Sequence, residues 1–461
     1  MTGASDKARF YLEQSVPELQ ELERKKIFTK AEITSIAKKR SDFEHKLNAR
    51  GSQPSDYARY AEYEMNLESL RRKRARRLGV KATEHAGQRR IFFVLDRATK
   101  KFHGDLALWM QYIEYARKQK AHKKLNQAFR SVLRLHPTRP ELWIYAAKYA
   151  LEVEGDMMEA RSYMQRGLRF CKRSKDLWVE YAKLEMIYIA KIVGRRRILG
   201  LDENRTQTPQ ADMADNPDAD IVKLPKITAE DINPDLAQDD SVDQAALQNL
   251  NSTPALSGAI PIAVFDAAMK QFPADDLLGE RFFDMIVGFE GVPSSKKIAE
   301  HIVDTLSASM PTNPLVASCY IWQPVAGVRA TSPDFPRGLG VALDRLDSSA
   351  QRIYPRFALL RRTIDRLMSF LGVQELDPDI RKVLLVTLKS TLGQLQMELE
   401  HKTGENGDEV AEVIEKLRSN GLHHFVESKM AWALRIWGKN TRLLTLQGTG
   451  AILAQDGDAN K

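Results

Sequence analysis

Trp109-Met110-Gln111-Tyr112, Trp143-Ile144-Tyr145-Ala146 and Trp178-Val179-Glu180-Tyr181 carry one motif three times, and Tyr57-Ala58-Arg59-Tyr60 carries it once more upstream. In the first and last copies an acid follows four residues later, Glu64 after Tyr60 and Glu185 after Tyr181; the middle copies have Ala116 and Ala150 there. The tryptophans stand 34 and then 35 residues apart, whereas Tyr57 to Trp109 is longer at 52. A period near 34 is that of a two-helix unit. Between the aromatic helices, 90–98, 125–133 and 160–168 repeat apolar residues at helical spacing, and Pro137 and Pro140 separate one unit from the next. Neither helix of such a pair buries its apolar face alone, so the units stack. Tyr57, Tyr60, Glu64, Trp109, Tyr112, Trp143, Trp178, Tyr181 and Glu185 are therefore expected to be structural anchors. Burying one Trp removes about 150–250 Å² from water, worth up to roughly 4–6 kcal/mol at about 25 cal/mol/Å².

Working outward toward the N-terminus, Ser15 with Glu18 and Thr29 with Glu32 have the spacing of a capping box, in which side chains satisfy the orphan amides of a new helix. The helix after Thr29 sets Ile33, Ile36, Ala37, Phe43 and Leu47 on one stripe opposite Lys38, Lys39 and Lys46. That stripe needs a partner, and residues 1–50 read as a helical docking arm that meets one in another protein. Residues 51–200 then form the first repeat array.

Composition changes at 201–257, which is acidic and interrupted by proline, and reads as a disordered linker. Helical pattern returns over 258–447 as a second, degenerate array, with five prolines making 311–340 read as an inserted loop, and 448–461 as a frayed tail. The expected fold is thus all-α: two solenoid arrays of helix pairs joined by an acidic flexible connector.

Charge is distributed unevenly. Residues 1–101 hold 24 Lys and Arg against 14 Asp and Glu, a net of +10, while 202–250 hold 3 against 12, a net of −9. A basic region of this kind suits a polyanionic partner. Its densest part is Arg71-Arg72-Lys73-Arg74-Ala75-Arg76-Arg77, six basic residues in seven, which reads as RNA contact, partner docking or nuclear localisation, against the plainer reading of a solvated helix face.

Catalytic patterns are missing from the sequence: it has no phosphate-binding loop, no zincin helix and no nucleophile elbow. Cys171 and Cys319 are far apart and lack neighbours at metal-ligand spacing, and His423-His424 point about 100° apart on a helix. No cofactor, metal or small-molecule substrate is expected. Without an apolar run of membrane length or a leader pattern, an intracellular protein with no membrane partner is the expectation.

The aromatic spacing resembles the half-a-tetratricopeptide (HAT) repeat, a helix pair of RNA-processing factors. Tyr11-Leu12-Glu13-Gln14, Val16-Pro17-Glu18-Leu19, 27–33 (Ile-Phe-Thr-Lys-Ala-Glu-Ile), 40–44 (Arg-Ser-Asp-Phe-Glu) and 63–68 (Tyr-Glu-Met-Asn-Leu-Glu) further resemble the small nucleolar RNA-associated protein six family, the HAT-repeat subunit of the UTP-B subcomplex. The likeness runs over roughly 8–185. It implies a non-enzymatic nucleolar scaffold of the small-subunit processome, with β-propeller proteins of UTP-B, the U-three snoRNP and pre-rRNA as partners, needed for 18S rRNA maturation. Two alternatives stay open: a HAT scaffold of the crooked-neck or cleavage-factor kind in mRNA processing, and a sequence-tolerant RNA-binding protein.

Overall fold

The computed structural model describes residues 4–80, 86–198, 257–353, 356–373, 375–400 and 407–447. The expected linker at 201–257, apart from residue 257, and the expected tail at 448–461 lie outside the described residues. The described residues contain nineteen α-helices and no strand. They fall into two compact units: unit 1 is 1–147 with 165–172, and unit 2 is 148–164 with 173–461.

In unit 1, α1 (Ala4–Glu13), α2 (Val16–Arg24), α3 (Lys30–Asn48), α4 (Pro54–Leu78), α5 (Ala86–Lys101), α6 (Leu106–Lys118) and α7 (His122–Leu135) follow one another. α1 and α2 pack on α3, and the rest on their sequence neighbours, α3 on α4, α4 on α5, α5 on α6 and α6 on α7, with α4 also touching α6. Contacts dominated by the next helix and the next but one are what a stack of helix pairs produces. Thr29 caps α3 as its spacing predicts, its Oγ1 accepting from the Glu32 amide at 3.3 Å while its own amide donates to Glu32 Oε2 at 2.9 Å. The equivalent expectation at Ser15 does not hold. Its hydroxyl and its amide both donate to the Leu12 carbonyl, and Glu18 is drawn instead toward the cations Arg40 and Arg90, to which a carboxylate bonds more strongly than to an amide. Gly79, at φ +64°, ends α4 in the left-handed conformation that glycine adopts without steric cost.

Helices α8 (Pro140–Tyr149) and α9 (Met157–Phe170) carry the unit boundaries, and a π-helical turn, Ala150–Glu154, extends α8 to Gly155. In unit 2, α10 (Lys175–Ile198) packs against α11 (Ala259–Gln271) and α12 (Asp276–Val287). Beyond these come α13 (Pro293–Ser309), α14 (Pro314–Trp322), α15 (Phe335–Arg352), α16 (Phe357–Leu371), α17 (Pro378–Glu400), α18 (Gly407–Ser419) and α19 (His423–Ile436). Neighbours again dominate: α12 on α13, α14 on α15, α16 on α17, α18 on α19.

The proline-rich stretch 311–340 is largely helix, not an inserted loop. Pro314 and Pro336 lie in the first turns of α14 and α15, where an amide is not needed and a fixed φ favours the helix. Between those prolines, Cys319, Ile321 and Trp322 are buried in the core.

Candidate functional site

The repeat anchors are buried. Tyr57, Tyr60, Trp109, Tyr112, Trp143 and Tyr181 all lie in the core, and Trp178 is half-buried. Trp109 and Trp143 use their indole N–H in one way. Each donates to a carbonyl six residues back, Trp109 to His103 at 3.0 Å and Trp143 to Pro137 at 2.9 Å, locking the aromatic helix to the turn that precedes it. Trp178 departs from this device, its buried indole nitrogen having no hydrogen-bond partner. Tyr112 donates to Asp96 at 2.7 Å, and burial followed by that carboxylate pushes its hydroxyl pKa well up.

The acids of the motif are also interior. Glu64 takes a two-pronged hydrogen bond from Arg40, and Glu185 takes one from Arg161. Burial works to lower the Arg40 pKa, but the charge and hydrogen bonds of Glu64 outweigh it and hold the guanidinium charged. Nothing in the aromatic spacing pointed to Arg40 or Arg161; an Arg 24 residues before the acid is the signal that could have found them.

The Ile33 stripe, expected to await another protein, is covered from within. Ile36 joins a buried cluster with Leu19, Leu22, Ile27, Phe28 and Ala75, against which Ile33 and Leu67 pack, and Leu47 is fully buried. Phe43 stacks on Tyr60, with centroids 4.9 Å apart. The polar rows close the same interface: Arg74 clasps Glu32 at 2.8 Å, Arg97 reaches Glu44 at 2.9 Å and lies over the Tyr11 ring. Residues 4–50 are therefore part of unit 1's core. The spacing gave the stripe correctly but could not reveal that α2 and α4 supply its partner. A shallow groove of about 300 Å³ remains beside it, bordered by Ile36, Lys39, Tyr63, Leu67 and Leu70.

The basic run divides into two sets. Arg71 is 5% exposed and holds Glu68 at 2.6 and 2.7 Å; Arg72 shares that carboxylate and also donates to Gln119; Arg74 is taken by Glu32. These three are structural cations. Lys73, Arg76 and Arg77 are exposed and form no ion pair among the described residues. Helix geometry explains the division: 71 and 74 face the α2–α3 side of α4, and 73, 76 and 77 face away from it.

Among the described residues no group of three or more His, Cys, Asp or Glu is placed to hold a metal ion, and no helix is long and apolar enough to cross a membrane. Cys171 and Cys319 are separate, free and buried. The arrangement offers surfaces and cations.

Residues 12–97 match the family model of U3 small nucleolar RNA-associated protein 6. The chain is 36% identical over 236 residues to U3 small nucleolar RNA-associated protein 6 of Schizosaccharomyces pombe, covering 49% of this chain and 48% of that one. It is 34% identical over 185 residues to the human homolog, covering 39% of this chain and 31% of the homolog. Over 82 residues it is 32% identical to human pre-mRNA-processing factor 6, covering 18% of this chain and 9% of that protein. The chain thus spans about half the length, or less, of the curated relatives it matches. The N-terminal helices that match the family model are those knitted together by Arg40, Glu64 and Arg74, and over this region the chain is similar to the U3 small nucleolar RNA-associated protein 6 family.

Proposed function

We propose that this chain is a non-catalytic structural subunit of the machinery that matures small-subunit ribosomal RNA, working in the nucleolus by protein–protein docking. The observation that carries the reading is the match over residues 12–97, together with relatives from fission yeast and human whose names associate them with the U3 small nucleolar RNA. Stacked helix pairs with buried aromatic anchors are a docking architecture, since each unit adds surface without adding a reactive centre. The finer reading places the chain in UTP-B beside β-propeller proteins, with the U-three snoRNP and pre-rRNA as partners in the assembled particle. The chain's two compact units divide between about 147 and 173 and not at the acidic stretch, since α10 packs on α11 and α12.

Similarity to a pre-mRNA-processing factor over 82 residues favours the mRNA-processing alternative to a lesser degree, because it is shorter than the 236-residue match. Depletion of the protein from growing cells tests the choice by hybridisation to rRNA precursors. The reading expects precursors of 18S rRNA to accumulate while large-subunit rRNA and spliced messages hold steady. Retained introns with normal 18S rRNA would overturn it.

A further inference from the structure

A groove of about 560 Å³ opens in unit 1 between the second half of α4, α5 and the end of α6. Its base is apolar: Ile91 and Tyr115 are buried there, with Met65 beside them. Its rim is cationic. Arg72, Lys73 and Arg76 line it from α4 and Lys118 from α6, all exposed. The acid that lines it, Glu68, is already neutralised by Arg71 and Arg72. Lys118 makes an exposed pair with Glu114 at 3.0 Å, a contact that holds its ammonium weakly. Lys73 and Arg76 have no ion pair among the described residues, so the rim keeps positive charge for a ligand. Tyr115 adds a second, independent observation. The residue is 5% exposed, and its hydroxyl is buried without a hydrogen-bond partner, a state that native interiors rarely tolerate.

Lys73 and Arg76 are three residues apart on α4, about 4.5 Å along the axis. The groove thus pairs a row of cations with an apolar base and one unsatisfied polar group. This suits a ligand with regularly spaced anionic groups. We propose that the groove binds single-stranded RNA, its phosphates on Lys73, Arg76 and Lys118. An acidic peptide would present similar charge; the choice of RNA over peptide rests on the function proposed above.

The test uses the full purified chain. Fluorescence anisotropy follows a labelled twelve-residue oligouridylate and, separately, a labelled polyglutamate peptide across a salt series. The variant Lys73→Gln/Arg76→Gln is expected to bind the RNA about tenfold more weakly and to reduce the log–log salt slope by about 1.4, at about 0.7 per phosphate contact on a single strand. Lys270→Gln/Lys389→Gln, exposed in unit 2, removes the same charge and is expected to change neither. Tyr115→Phe removes the unpartnered hydroxyl, keeps the fold, and is expected to weaken RNA a few-fold with the salt slope unchanged. An RNA affinity and slope unaltered by Lys73→Gln/Arg76→Gln, or lowered equally by the remote pair, would overturn the site. So would loss of polyglutamate binding with RNA binding intact, which would make the groove a peptide site. Recovery of U3 small nucleolar RNA-associated proteins with the tagged wild-type chain is read separately, so failure of the functional reading leaves the RNA result to stand or fall alone.

Discussion

Arg40 and Glu64 meet face to face inside unit 1, Nε to Oε1 at 2.8 Å and Nη2 to Oε2 at 2.9 Å, with 1% and 2% of the two side chains exposed. Arg161 and Glu185 repeat the relationship at the same 24-residue separation, at 2.7 and 2.8 Å. The two repeats whose acid is Ala116 or Ala150 have Phe92 and Asn126 at the matching upstream positions. Arg and Glu are thus present or absent together. A buried guanidinium without its carboxylate carries an uncompensated charge, which is costlier than having neither. In the second repeat, Phe92 packs edge-on to Tyr112 and Tyr115, so rings replace the ion pair.

Breaking the pair from one side is therefore expected to be severe. Glu64→Ala should destabilise the chain by about 3–5 kcal/mol in denaturant unfolding. Arg40→Phe/Glu64→Ala, which copies the Phe92 and Ala116 solution, should recover a substantial part of that loss. A double variant as unstable as the sum of the two singles would argue against coupled replacement.

The tryptophans should rank by their hydrogen bonds. Trp109→Ala and Trp143→Ala each remove a buried ring and a bond to the preceding turn, and about 3–5 kcal/mol is expected. Trp178→Ala should cost less, because that ring is half-buried and its N–H has no partner. Equal losses at all three positions would contradict the ranking.

Acid should loosen the α3–α4 contact through Glu32. Hydrogen bonds from Arg74 and then from the Thr29 amide lower its pKa from 4.5 to about 2. A carboxyl depressed in the folded state stabilises above its ordinary pKa and loses that contribution as pH falls through the folded value. The melting-temperature gap between wild type and Glu32→Gln should be constant above pH 4.5 and close as pH falls toward 2. A gap that persists undiminished at pH 2 would show that Glu32 acts through something other than its charge.

Gly279 marks a close approach in unit 2. A Cβ there would stand 2.6 Å from a Leu306 methyl, and Leu306 is itself fully buried. Gly279→Ala should cost about 1–3 kcal/mol by overpacking, with Gly393→Ala, where nothing lies within 4 Å, neutral or stabilising by comparison. The reverse order in chemical denaturation would contradict the packing described.

Periodicity made the repeats legible because a Trp every 34 or 35 residues has few other physical explanations. The cap at Thr29 was legible for the same reason, its donors and acceptors being local. Long-range partners were not. Ile33 looked uncovered because α2 and α4 are separate in sequence, and Glu18 looked like a cap because Arg40 and Arg90 lie far along the chain. Proline density misled at 311–340, since Pro314 and Pro336 begin helices rather than prevent them. Of the basic run, composition counted six charges, but only the fold separates Arg71 and Arg74, held by acids, from Lys73, Arg76 and Arg77.

The most direct test of the scaffold reading is purification of the tagged chain from growing cells, with and without nuclease, identifying proteins and RNAs together. The account predicts U3 small nucleolar RNA-associated proteins retained after nuclease, with the RNA lost. Recovery of splicing or cleavage factors in their place, or disappearance of every protein partner on nuclease treatment, would contradict it.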